Sequence, residues 1–173
     1  MKKFFCLLTA AIVMMVFASG MCLAAQDLDK NNPIDKAFAK DFEKASATAE
    51  INYVAEKYHD AWEAELKNAA AQAKKEYKFK EDKQRVDDLV AAYKKLGKIA
   101  FDLEMLKWGD TDQNPKDRSF GTGGPGAAVI AEADILKDAT IKLIEHMTKG
   151  DGESTYKFIY KGKGAELDKI RNQ

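Results

Sequence analysis

The chain has 173 residues, of which 28 are basic and 28 acidic, so its formal net charge at pH 7 is zero. This balance argues against a nucleic-acid-binding protein, which needs an excess of basic side chains to neutralise phosphates. The length suits one domain with its own hydrophobic core.

The first 24 residues have the features of a removable export signal. Lys2 and Lys3 form a basic start, residues 4–17 are almost wholly apolar, and Cys22-Leu23-Ala24 offers small residues for cleavage. Removal of this leader leaves 26 basic and 28 acidic residues, a net charge of −2. We therefore expect a periplasmic or secreted protein without a membrane span after cleavage.

The leader also holds both cysteines of the chain, Cys6 and Cys22. The mature form is thus predicted to be free of cysteine and to fold without disulfides, which excludes thiol catalysis and thiolate metal sites. Two alternatives stay open. The uncharged stretch between Lys3 and Asp27 is long enough to be retained as a membrane anchor, and Cys22 is a candidate for lipid attachment.

Two helices are predicted in the first half of the mature chain. Asn32 and Pro33 form a cap and a first-turn proline, and a short helix follows with an apolar stripe. Thr48 is the predicted N-cap of a long helix that reaches about residue 79. The expected apolar stripe of the long helix consists of Ile51, Val54, Tyr58, Trp62, Leu66, Ala69, Ala73 and Tyr77.

A third helix is predicted over about residues 81–108 and a fourth over about 127–148. Gly97, inside the third helix, fits either a close helix crossing or an exposed position. The expected stripe of the third helix is Val86, Leu89, Val90, Tyr93, Leu96, Ala100, Leu103 and Leu106. The expected stripe of the fourth is Ile130, Ala133, Leu136, Ala139, Leu143 and Met147.

The predicted fold is therefore all-α: an antiparallel bundle of three long helices plus one short N-terminal helix, after a cleaved signal peptide. Burial of all the stripes together requires such packing. The predicted division is a signal peptide over residues 1–24, a helical domain over 25–148, and a tail over 149–173. In the tail, Tyr156, Phe158 and Tyr160 alternate with other residues, which fits either a short strand or a loose tail.

No pattern typical of a catalytic or metal site is complete in this sequence. Glu56 and His59 have the Glu-x-x-His spacing of di-iron bundles, but a second such pair is missing, so neither metal nor cofactor is expected. The segment from Asp110 begins like a calcium loop, yet Pro115 stands at its sixth position and Gly121 at its twelfth. Asx-type turns account for this segment.

The loop over residues 109–126 contains five glycines before the fourth helix. It lacks the Lys-Ser/Thr of a nucleotide-binding loop, so a flexible hinge or cap is the preferred interpretation. A structureless connection of this length is often functional. The candidate partner-binding residues in it are Asp110, Asp112, Asp117, Arg118 and Phe120.

One region resembles a known family. Thr48-Ala49-Glu50-Ile51-Asn52, followed by Tyr58, Trp62 and Glu65-Leu66-Lys67-Asn68, resembles the opening of the LprI-type lysozyme-inhibitor domain, whose members are exported helical proteins and include many of unknown function. The looser similarity covers about residues 34–148. The sequence departs from the family in lacking its disulfide cysteines, and Phe101 stands in place of its tryptophan.

The resemblance implies an exported, non-catalytic binding protein whose partner is a lysozyme-like muramidase. Acidic groups of the loop would then meet a basic enzyme cleft. A periplasmic helical chaperone or envelope-stress binding protein is the alternative, and a metal-binding bundle is a third option.

Overall fold

The computed structural model describes residues 28–148 and 156–172, and the regular elements in these ranges are all helical. The predicted all-α class is confirmed in this sense. The predicted leader, with Cys6 and Cys22, lies outside the described residues. The α-helices are α1 (Pro33–Lys44), α2 (Thr48–Ala73), α3 (Lys80–Trp108), α4 (Gly124–Met147) and α5 (Glu166–Arg171).

Helix α1 begins as its sequence predicts. The Asn32 side-chain oxygen accepts a hydrogen bond from the Asp35 backbone N–H at 2.8 Å, and Pro33 occupies the first turn. Helix α2 begins one residue earlier than predicted, because its N-cap is Ala47 and Thr48 is the first residue of its first turn. The Glu50 carboxylate takes over the capping by accepting the backbone N–H of Ala47 at 3.3 Å.

The end of α2 differs more from the prediction. The helix stops at Ala73, and a 3₁₀ turn over Lys74–Glu76 follows. Tyr77 therefore lies outside the helical stripe. Its ring stacks on the His146 imidazole of α4, with centroids 6.0 Å apart, and its hydroxyl is hydrogen-bonded to the same ring. This contact requires the chain to leave the α2 axis before Tyr77.

Helices α2 and α4 share the main core, and α4 also packs against α3. The stripe predicted for α4 is buried from Ala133 onwards, and that of α2 is buried from Val54 to Ala73, with Ile51 left 38% exposed. Trp62 lies at the centre with no exposed surface. The largest fully buried apolar side chains are Trp62, Phe38, Ile34, Leu66, Leu136, Ile144, Leu167 and Val54.

The stripe predicted for α3 is only partly correct. Val86 is buried, but Leu96, Leu103 and Leu106 are exposed by 46%, 58% and 41%. The helix instead approaches α4 through Gly97, where a Cβ atom would lie 3.1 Å from Cγ of Glu132. The close-crossing interpretation of Gly97 is therefore confirmed, and the apolar residues beside it face away from the bundle.

The C-terminal segment, residues 156–172, packs on the bundle. Its first residues are extended and lie along α2, where the fully buried Glu65 carboxylate accepts the backbone N–H groups of Ile159 and Tyr160, each at 3.1 Å, and the hydroxyl of Tyr156. Gln72 of α2 adds a pair of hydrogen bonds to the backbone of Lys157 at 2.9 and 3.2 Å. Side chains of α2 thus replace the partner strand that the alternating pattern suggested.

Helix α5 ends this segment and was not anticipated from the sequence. The buried Asp41 carboxylate of α1 accepts the backbone N–H groups of Ala165 and Glu166 at 3.1 and 3.0 Å, which gives an acceptor to two N–H groups at the start of α5. Gly164 has a φ of +74°, and a Cβ atom there would lie 2.3 Å from the Ala37 carbonyl oxygen. Glycine is required at this position on both grounds.

Candidate partner-binding surface

The loop between α3 and α4 is closed at its base. Gly109 and Phe120 form an isolated antiparallel bridge, and the Gly121 backbone N–H donates to the Trp108 carbonyl oxygen at 2.9 Å. Helix α4 starts at Gly124, so the loop covers residues 109–123 rather than the predicted 109–126. Its two ends are thus held together by backbone hydrogen bonds.

Turns within the loop are fixed by its own side chains. The Asp110 carboxylate accepts the Asp112 backbone N–H at 3.1 Å, and the Asn114 side-chain oxygen accepts the Lys116 N–H at 3.0 Å. These are the predicted Asx-type turns, which are confirmed. The Gln113 side chain also accepts the Ser119 N–H at 3.1 Å. The loop therefore has a defined shape despite its length.

Arg118 belongs to the inside of this loop. Its side chain passes over Gly109, where a Cβ atom would lie 2.7 Å from the Arg118 Cδ, and its guanidinium donates to the Gln113 carbonyl oxygen at 3.4 Å. The residue is half-buried. Of the five predicted partner-binding residues, Arg118 is therefore the one whose half-buried side chain contacts the loop itself and stabilises it.

The other four predicted residues lie on the surface. Asp110, Asp112 and Asp117 are exposed, and none of them forms an ion pair with another residue that the structure describes. Phe120 is 42% exposed. This one loop therefore carries three exposed carboxylates without an ion pair among the described residues and one partly exposed aromatic ring.

Trp108 adds a second aromatic ring that the sequence analysis did not single out. It is 44% exposed and covers the loop glycines, so that a Cβ atom on Gly123 or Gly124 would lie 2.9 Å from its side chain. A tryptophan at a helix end, followed by a glycine-rich stretch, was the signal available in the sequence. These glycines serve close packing against Trp108, which accounts for their clustering.

The Glu-x-x-His pair, Glu56 and His59, lies on α2 and not in this loop. His59 of α2 lies with Nε2 3.7 Å from a carboxylate oxygen of Glu132, and Glu56 is exposed. Over residues 28–148 and 156–172, no group of three or more His, Cys, Asp or Glu side chains is arranged to hold a metal ion.

A polar cluster ties α1 to α2 and α4. The Tyr58 hydroxyl donates to the Asp35 carboxylate at 2.8 Å, and Lys137 pairs with Asp35 and Asp29, each at 2.8 Å. Burial raises the pKa of Tyr58 above its usual range. Burial alone would lower the pKa of Lys137, but its hydrogen bonds to Asp29 and Asp35 outweigh this and raise the pKa. The cluster keeps its charges paired, as a structural link requires.

No family model, curated protein or solved structure matches this chain. The likeness to the LprI-type domain therefore stays a prediction from the residues that carry it. In the part of the chain that the structure describes, no helix is both long and apolar enough to cross a membrane.

Proposed function

We propose that this protein is an exported, non-catalytic binding protein whose partner contacts the loop over residues 109–123. The observation that carries the proposal is the loop itself, which is held in one shape by its own hydrogen bonds. It presents Asp110, Asp112 and Asp117, which form no ion pair with another described residue, and the loop region also carries the partly exposed rings of Phe120 and Trp108. Exposed aromatic rings on an ordered loop are typical of protein-recognition surfaces. The leader over residues 1–24 supports export.

A basic protein surface is the partner that this loop fits best. Carboxylates that form no ion pair with another described residue attract a positively charged surface and orient it during encounter. The resemblance to the LprI-type domain makes a lysozyme-like muramidase the specific candidate, because its substrate cleft would receive the acidic loop.

The non-catalytic part of the proposal rests on how the two histidines are placed. His146 is hydrogen-bonded to Tyr77 and stacked on its ring, and His59 faces Glu132 across the contact of α2 with α4. His146 is thus held by Tyr77, whereas the buried Nε2 of His59 makes no hydrogen bond to a described residue. Among the described residues, neither histidine forms a hydrogen bond with a serine or threonine hydroxyl, which general-base catalysis on a nucleophile would need.

A lysis assay tests the proposed activity. The protein, produced with its own leader and recovered after export, is mixed with lysozyme and a bacterial cell-wall suspension. We expect lysis to slow as the protein is added in molar excess. Mass spectrometry of the recovered protein shows in the same experiment whether residues 1–24 have been removed. Undiminished lysis at a large excess would refute the inhibitor hypothesis.

A matched pair of triple variants locates the contact. Asp110→Asn, Asp112→Asn and Asp117→Asn together remove three charges while asparagine retains the Asx turns, so we expect inhibition to weaken roughly tenfold or more. The control carries Glu43→Gln, Glu56→Gln and Glu81→Gln, which remove three exposed charges elsewhere. Equal loss in both variants would assign the effect to net charge and would contradict a role of this loop.

A helical chaperone is the second candidate, and the exposed apolar residues of α3 favour it. A surface of this kind would bind unfolded chains. Suppression of the aggregation of a reduced, unfolded client protein tests this function. No suppression at equimolar or higher protein concentration would remove it.

We also infer that α3 runs antiparallel to both of its long neighbours. Two ion pairs support this between α2 and α3: Glu63 with Lys94 at 2.8 Å, and, past the end of α2, Lys74 with Asp87 at 2.7 Å. The later residue of one helix meets the earlier residue of the other. Against α4, Trp108 at the end of α3 meets Gly124 at the start of α4, and Gly97, earlier in α3, meets Glu132, later in α4. The short connection between α2 and α3 agrees with this arrangement.

A further inference from the structure

A row of large apolar side chains lies exposed along the C-terminal half of α3. Leu96, Ile99, Leu103 and Leu106 are 46%, 45%, 58% and 41% exposed, and Ala92 before them is also exposed. Their spacing alternates between four and three residues, which is the spacing of a coiled-coil seam. We call these five residues the α3 seam.

The α3 seam faces away from the rest of the protein. Val86 and Gly97 are the buried residues of α3, and Gly97 marks the side that meets Glu132 of α4. At 3.6 residues per turn, the seam lies roughly 140° around the helix from that side. None of the described helices covers it, so a large apolar surface is left for an intermolecular contact.

We propose that the α3 seam is a homodimer interface in which α3 of a second copy packs antiparallel across it. In a two-fold register, Leu96 lies opposite Ile99 of the second copy, and Ala92 lies opposite Leu103. Leu106 then meets Leu89, which is half-buried within its own chain. Each layer occurs twice, because a two-fold axis repeats every contact.

Charge complementarity favours a second copy of this chain as the partner that covers the α3 seam. Lys95 and Asp102 border the seam on the same side and are exposed, and neither forms an ion pair among the described residues. In antiparallel coiled coils the flanking residues that directly precede every second seam position, here Lys95 before Leu96 and Asp102 before Leu103, meet each other across the two helices. The stated register therefore places Lys95 beside Asp102 of the second copy, twice per dimer.

A parallel pairing of the two α3 helices would form fewer new ion pairs. It would place Asp102 near Lys107 of the second copy, but Lys107 already forms an ion pair with Glu104 of its own helix. It would also leave Lys95 opposite Ala100, which carries no charge. The antiparallel register pairs both flanking charges without breaking an existing contact.

The test is sedimentation velocity of the exported protein over a range of concentrations. We expect a monomer–dimer equilibrium whose dimer fraction rises with concentration. Leu103→Lys places a charge in the seam and should leave a monomer with the circular dichroism spectrum of the parent protein. A parent protein that is monomeric at every concentration overturns the proposal, and so does a Leu103→Lys variant that dimerises as well as the parent.

Charge reversal tests the register itself. Lys95→Glu and Asp102→Lys should each weaken dimerisation by about tenfold, because each sets like charges against each other twice. The double variant should recover most of the parent affinity, whereas Lys98→Glu, on the same helix but off the seam, should change little. No recovery in the double variant overturns the antiparallel register. If the seam instead binds an unfolded client, Leu103→Lys abolishes client binding by a protein that is monomeric throughout, which also overturns the proposal.

Discussion

Helices α2 and α3 are alike in length and in their apolar periodicity, but they have different surroundings. In α2, nine residues of 26 are buried, whereas in α3 only Val86 and Gly97 of 29 are buried. Helix α2 contacts α1, α4 and α5 and carries the extended C-terminal segment, while α3 packs mainly against α4. The comparison teaches that an apolar stripe predicts a helix reliably, but that burial of the stripe depends on how many neighbours surround it.

A Leu→Ala substitution in each of the two helices should produce the largest difference in the free energy of unfolding. Leu66→Ala empties a fully buried site in α2 and is expected to lower the free energy of unfolding by about 2–5 kcal/mol. Leu103→Ala removes the same atoms from a side chain that is 58% exposed, so its effect should stay within about 0.5 kcal/mol. Urea unfolding at low protein concentration, where any dimer dissociates, measures both. Equal losses would contradict the difference in burial between the helices.

The second-largest effect is expected from removal of the buried Glu65 carboxylate of α2. Glu65→Ala removes the acceptor of the backbone N–H groups of Ile159 and Tyr160, and the loss of a hydrogen bond to a charged group costs about 1.5–3 kcal/mol. Hydrogen exchange should become faster at these two amides, while the amides of α4 keep most of their protection. Glu63→Ala, two residues away on the surface, is the control. Unchanged exchange at Ile159 and Tyr160 would show that Glu65 does not hold the C-terminal segment.

The smallest effect is the pH dependence of the ion pairs that Glu63 of α2 forms with Lys94 of α3 and with Lys67 of its own helix. Hydrogen bonds from Lys94 and Lys67 lower the pKa of Glu63 from 4.5 to about 2. Because the folded protein binds this proton more weakly than the unfolded chain, the stabilisation is complete above pH 4.5 and is lost as the pH falls towards 2. Glu63 is partly exposed, so its contribution should be only about 0.2–1 kcal/mol.

A comparison of variants isolates this contribution. Glu63→Gln should be slightly less stable than the parent at pH 7, and the difference should shrink between pH 4.5 and pH 2. Thermal unfolding at several pH values in low salt measures it. Glu56→Gln removes an exposed carboxylate from the interior of α2 that makes no ion pair with another described residue and serves as the control. A difference that stays constant down to pH 2 would exclude the pairing of Glu63 with Lys94 and Lys67.

Local signals in the sequence were reliable where neighbouring residues decide the structure. The Asn32 cap with Pro33, the end of α3 at Trp108 and the Asx turns of the loop all depend on side chains within a few residues, and all three are present. The candidate loop was likewise found from its composition. The inward position of Arg118 was not, because it depends on where Gly109 lies once the loop closes.

The sequence by itself determined that this chain forms long amphipathic helices, because the period of its apolar residues and its caps are local properties. Only the tertiary structure decided which stripes are buried and where the polar residues lie. Glu65 and Asp41 carry no local signal of burial, yet both are buried because the C-terminal segment brings backbone N–H groups to them. The α3 seam is exposed for the converse reason, since burial requires a neighbour that no local pattern specifies.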